Sequence, residues 1–234
     1  MKRTRIATIH VATIALTFAL ALTAHQDLQA ADDDIPDVTH DGLQRLVDSN
    51  AAIAYLKPDA DLSVYDRFMI VDCYVAFKKD WQKDRNRNQR SLSSQVTDKD
   101  MERMRNDMAE AFREVFIEEL TENDGYELVD APAGGVLLIR PAIIDLDASA
   151  PDVQSAGRST TFVDSAGAAT LFIELYDSVS GEILARAIDR KADRSHGRME
   201  WSNRTSNRAD AKRILRTWAG WLRERMDEVH GRGQ

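Results

Sequence analysis

The side chains that could do chemistry are few, and their spacing limits what that chemistry could be. Asp145 and Asp147 stand two apart near the end of an apolar run, so on a strand their carboxylates share a face. Such a pair could hold a divalent cation or divide general acid and general base roles. His196 is the nearest candidate base, and the three together define one alternative, an envelope hydrolase. Other constellations are missing. His40, His196 and His230 are far apart, and there is no HExxH or CxxC. Met101, Met104 and Met108 could be drawn as a soft copper(I) site, but their three- and four-residue steps suit the core stripe of a helix. Ser165, Ser178 and Ser180 lie in loops without a GxSxG elbow, and Gly134-Gly135 lacks the lysine and helix start of a phosphate loop. The reading is a non-enzyme without cofactor or metal.

A different chemistry gathers between residues 186 and 216, where ten arginines and lysines face only Asp189, Asp193, Glu200 and Asp210. Arg194, His196, Arg198, Trp201 and Arg204 lie at its centre. Guanidinium beside an aromatic ring suits planar anions and interface hot spots. These five are the predicted binding residues, for an envelope protein, an anionic glycan or a lipid headgroup. The competing reading is internal, with the arginines paired to acids of the first long helix or of the 145–152 loop. A third reading is a purely structural subunit of an envelope complex, which an exposed Trp218 or Trp221 would favour.

Composition and the N-terminus bound the setting. Lys2, Arg3 and Arg5 precede an apolar run at 11–22, and Leu28-Gln29-Ala30 offers a small-residue cleavage site, so 1–30 is expected to be a secretory signal peptide. The run is short of the roughly 18 apolar residues of a membrane span, and no transmembrane span is expected after cleavage. Removal of the leader takes 31 basic and 39 acidic residues to 28 and 38. An acidic chain argues against nucleic-acid binding. No cysteine lies near the cleavage site, so a soluble periplasmic product is expected. Cys73, the single cysteine, fits a small buried hydrophobe.

The elements that must position these residues follow from periodicity. Residues 31–41 form a mobile acidic segment, 42–230 a single domain and 231–234 a frayed tail. An arm or short helix at 42–56 leads to a strand at 68–77, apolar on both faces and therefore expected to be central. After a polar loop at 78–97 anchored by Trp81, Thr97 and Asp98 cap a helix at 98–122. Strands follow at 126–129 and 136–146, where Pro141 predicts an edge position or a bulge. A second polar loop fills 148–165. The run 168–191 alternates as a hairpin about Asp177-Ser178-Val179-Ser180-Gly181, with Ala185 and Ala187 leaving room for a helix over that face. A last helix begins at 207. The expected fold is α+β, a two-layer sandwich in which a mixed sheet of about five strands carries two long helices on one face.

Four runs carry a family resemblance: DGLQRLVDSNAAIAYLKPDADLSVYDRFMI, GYELVDAPAGGVLLIRPAIIDLDASAPD, ELYDSVSGEILARAIDR and NRADAKRILRTWAGWLRERMD. Together they span roughly 41–227, and the chain resembles the bacterial envelope family DUF3313, a domain of unknown function. The resemblance implies export. Many members look like lipoproteins, and this chain departs from them in lacking the lipobox cysteine. No activity comes with the family.

Overall fold

The computed structural model describes residues 35–87, 95–148, 161–162, 168–192, 201–202 and 204–232. The expected leader and much of both polar loops lie outside the described residues, and the elements below belong to the unit Val38–Gln234. In chain order they are β1 (Gln44–Arg45), β2 (Ile53–Leu56), β3 (Arg67–Ile70), β4 (Tyr74–Phe77), α1 (Trp81–Arg87), α2 (Asp98–Thr121), β5 (Glu127–Leu128), β6 (Val136–Asp147), β7 (Thr161–Phe162), β8 (Ala168–Asp177), β9 (Ile183–Ala192), β10 (Trp201–Ser202) and α3 (Arg204–Val229). The main sheet runs β1-β2-β9-β8-β6-β3-β5, with β4 also beside β6, while β7 and β10 form a separate pair. The class is α+β with a mixed sheet, as expected. Among the described residues, a main sheet of eight strands and three helices replace about five strands and two helices, chiefly because the 42–56 arm forms β1 and β2 and because one expected strand is two.

That strand is broken at Val71-Asp72-Cys73. Phe68 and Ile70 are buried before the break, Cys73 and Val75 after it, so the buried phase slips by one residue. The alternation at 68–77 is therefore not continuous. Both halves pair in parallel with β6, Ile70 opposite Ile139 and Tyr74 opposite Ala142, and among the described residues β4 has no other partner. The expected central strand thus ends as an edge. The break also accounts for Pro141, which lies in a strand paired on both sides. It causes no bulge, because the register shift falls later, between Ile144 and Asp147. Instead the gap between β3 and β4 leaves Arg140-Pro141 without a ladder partner on that side, where a proline has no N–H to give.

The β8–β9 hairpin forms where alternation placed it. Asp177 Oδ1 accepts from the Ser180 amide at 2.7 Å, the Val179 amide at 3.1 Å and the Ser180 hydroxyl at 2.8 Å, and Gly181 takes φ of 69°. A short acceptor side chain and a residue free of Cβ strain are what the turn needs. Helix α2 starts at a reciprocal capping box in which Thr97 accepts from the Asp100 amide and Asp100 from the Thr97 amide. The polar loop before it contains α1, whose Trp81 is buried against Phe77 at a ring separation of 4.7 Å, beside Val96 and Met101.

One apolar cluster joins the sheet to both long helices. Phe112, Val115, Phe116 and Leu120 of α2 and Leu215, Trp218, Ala219 and Met226 of α3 meet Ile139, Ile143, Leu171, Ile173 and Leu175. The helices run in the same direction. Lys212 pairs with Glu114 at 2.7 Å, and eleven residues on, Arg223 Nη1 donates to the carbonyls of Glu119, Leu120 and Glu122 at 3.1, 3.1 and 3.0 Å. A guanidinium thus satisfies orphan carbonyls at the α2 C-terminus and opposes its partial negative charge. Among the described residues no helix is long and apolar enough to cross a membrane.

Candidate functional site

Arg194, His196 and Arg198 lie outside the described residues, while Trp201 and Arg204 are described through their backbone, in β10 and at the first turn of α3. Trp201 pairs with Phe162. The helix begins three residues before the expected start, so Arg204 opens a row with Arg208, Lys212 and Arg216. Four-residue steps place these on one flank of a helix. Arg208 and Arg216 are exposed, and Lys212 holds Glu114. The Glu114 carboxyl is kept below the usual range first by that hydrogen bond and then by the positive fields of Lys212, Arg208 and Arg216.

The other described basic residues of the block are partly spent inside the molecule. Arg186 bridges two carboxylates across the sheet, donating to Asp41 Oδ2 at 2.6 Å and to Glu174 Oε1 from Nη2 at 2.7 Å and Nε at 2.9 Å. Glu174 is buried in β8 and also accepts from the Tyr176 hydroxyl at 2.7 Å. The Arg186 hydrogen bond, helped by Thr39, brings the Asp41 carboxyl down to about 2. Such two-pronged carboxylate binding is the geometry a planar guanidinium favours. Lys191 lies 4.4 Å from the Trp221 ring centroid and 3.3 Å from Asp189. For Arg186 and Lys191, internal pairing is therefore the structural outcome.

Asp189 is the residue the spacing arguments missed. It is 4 % exposed, accepts from Trp218 Nε1 at 2.8 Å and from the Ala52 amide at 3.0 Å, and is ion-paired with Lys191. One carboxylate thus ties α3, the β1–β2 loop and β9 together. Its signal was the parity of Ala185, Ala187 and Asp189, an acid continuing the small-residue face over which the helix lies. Trp218 is 2 % exposed and Trp221 half-buried, so Trp218 does not offer the exposed face that a structural-subunit reading would use.

The acidic pair is not a matched pair. Asp145 is exposed with φ of 50°, and the strand is bulged between Ile144 and Asp147, so simple alternation does not carry through the two aspartates. Asp147 is half-buried and accepts from Trp81 Nε1 at 3.1 Å. His196 lies outside the described residues. Among the described residues no group of three or more His, Cys, Asp or Glu could hold a metal ion. Cys73 is buried as expected, and desolvation pushes its thiol up to about 12, far from thiolate reactivity.

Comparison with known proteins gives a family profile, described as Protein of unknown function (DUF3313), that matches residues 37–222. No curated protein matches. Among solved structures the chain is similar to the PelC dodecamer from Paraburkholderia phytofirmans, with 11% identity and a TM-score of 0.37 over 73% of this chain and 98% of that one. A singly substituted form of that dodecamer gives 8% identity and a TM-score of 0.35 over 73% and 95%.

Proposed function

Because this chain belongs to the family Protein of unknown function (DUF3313), its role must be argued from its own surface, and we propose that it is an exported, non-enzymatic binding or accessory module of the bacterial cell envelope. It takes an anionic partner on the basic flank of α3, together with the predicted binding residues Arg194, His196, Arg198, Trp201 and Arg204. The observation that supports this is the row Arg204, Arg208, Lys212 and Arg216, an arginine-rich stripe on an otherwise acidic chain, with Arg208 and Arg216 exposed. Glu114 occupies one of its cations. A stripe of this kind attracts an anionic surface through the summed field and holds it through guanidinium hydrogen bonds.

The test is a crosslinking pull-down from the envelope of the source organism, with Arg194→Ala/Arg198→Ala/Arg204→Ala and Arg208→Ala/Arg216→Ala as two separate variants. Both should lose most of the captured material, increasingly so at high salt, while the unfolding free energy stays within the range of surface substitutions, about 0.5 kcal/mol, and the melting temperature is nearly unchanged. A large fall in melting temperature would mean that the arginines are structural, and unchanged capture by folded variants would end the proposal.

A further inference from the structure

At the other end of α3 the molecule has an apolar cleft of about 660 Å³, enclosed by the C-terminal half of the helix, β2, β9 and the 46–51 loop. That volume falls in the range of small-molecule sites. Its origin lies in side-chain size. Ala54, Ala185 and Ala187 form the sheet surface opposite Trp218, Trp221 and Leu222, and three alanines leave space that larger residues would fill. We propose that this cleft binds a small amphiphile with an apolar body and a single cationic end.

The apolar body follows from the floor. Its buried charged group is Asp189, and two hydrogen bonds and the Lys191 ion pair leave that carboxylate little to offer an occupant. Alanine, leucine, isoleucine and indole surfaces, with Tyr55, make up most of the rest, and covering them removes apolar area from water. Val47, on the mouth loop, is 94% exposed and gives the occupant further apolar contact.

The cationic end follows from the mouth. Asp48, Glu224 and Glu228 stand there, all exposed. Of the two arginines lining the cleft, Arg225 is paired with Glu228, and Arg186 is engaged by Asp41 and Glu174. The contact across the mouth, Asn50 Nδ2 to Glu224 Oε2 at 3.3 Å, is between an amide and a carboxylate and brings no countercharge. The rim is thus net negative, although the N-terminal half of the same helix carries the basic stripe. The two surfaces select opposite charges, and either can fail without the other.

Three probes share a chain length and differ in headgroup: dodecyltrimethylammonium, dodecyl sulfate and dodecyl maltoside. Each is titrated below its critical micelle concentration, read by tryptophan fluorescence and by calorimetry. The ammonium should bind saturably at one site and about tenfold tighter than the sulfate, the scale of one or two favourable charge contacts near a surface. Ala187→Phe and, separately, Ala185→Leu should abolish binding by filling the floor. Glu224→Gln/Glu228→Gln, at the exposed rim, should keep maltoside binding and erase the preference for the ammonium. Equal or tighter sulfate binding by the wild-type chain would overturn the proposal. So would ammonium binding that survives either filling substitution, or a preference unchanged in the rim variant.

Discussion

Arg186 shows how a residue from a basic block can become a structural node. Its guanidinium joins Glu174, a neighbour across the β8–β9 ladder, to Asp41, 145 positions earlier. Asp41 falls from 3.8 to about 2, so the folded state holds its proton less tightly than the unfolded chain. The sign is that of a depressed acid: the contribution is complete above pH 4 and is lost as pH falls toward 2. Thermal unfolding between pH 6 and pH 2 should therefore show a loss of stability concentrated below pH 4. In Asp41→Asn, stability at pH 6 should be lower and the decline below pH 4 shallower. A variant whose decline matches that of the wild type would show that Asp41 does not carry this acid sensitivity.

Among the elements, α2 runs up to Asn123-Asp124-Gly125, and that C-terminal end carries a sharp steric constraint. Asn123 and Asp124 take φ of 50° and 54°, turning the chain into Gly125. A Cβ at Gly125 would press on the Leu120 carbonyl, lie 2.5 Å from Arg223 Nη1 and 2.9 Å from the Glu122 carbonyl. Backbone on two sides cannot give way cheaply, and the third side is the guanidinium that caps the helix. Gly125→Ala should cost on the order of 3 kcal/mol in a urea titration, the scale of overpacking with a lost cap; a cost under about 0.5 kcal/mol would mean that the turn relaxes freely. The Thr97 cap, the β8–β9 hairpin and the stripe of α2 were legible because each is set by residues close in sequence. The β3–β4 break was not, since apolar residues on both faces at 68–77 fit a continuous strand equally well, and the gap becomes intelligible only beside Pro141, some seventy positions on. The candidate site divides the same way. The concentration of arginine was visible in the chain, whereas the removal of Arg186 by Asp41 and the enclosure of Asp189 depend on contacts between distant segments.

At the scale of the whole molecule, the sheet has two differently built halves, and the last element is common to both. β3, β4, β5 and β6 pair in parallel across the α2 crossover, while β6, β8, β9, β2 and β1 are antiparallel. α3 packs with α2 through Lys212 and Arg223, and through Trp218 it reaches Asp189 at the antiparallel side. Deleting residues 212–234 would expose the face that Leu215, Trp218, Ala219 and Met226 cover. Full burial of Leu, Trp and Met side chains is worth roughly 2–3 kcal/mol each. Their loss is thus comparable with the about 5–15 kcal/mol net stability of a domain. It would also strip the Trp218 indole from the Asp189 carboxylate and the Arg223 guanidinium from three carbonyls, leaving polar groups without their native partners. The truncated chain should show no cooperative urea transition, lose its near-ultraviolet circular dichroism and bind a hydrophobic dye, since strand and helix content can survive where fixed packing does not. A single sharp transition near the wild-type midpoint would instead mean that the sheet and α2 fold without α3, and that the Asp189 junction is an attachment made after folding.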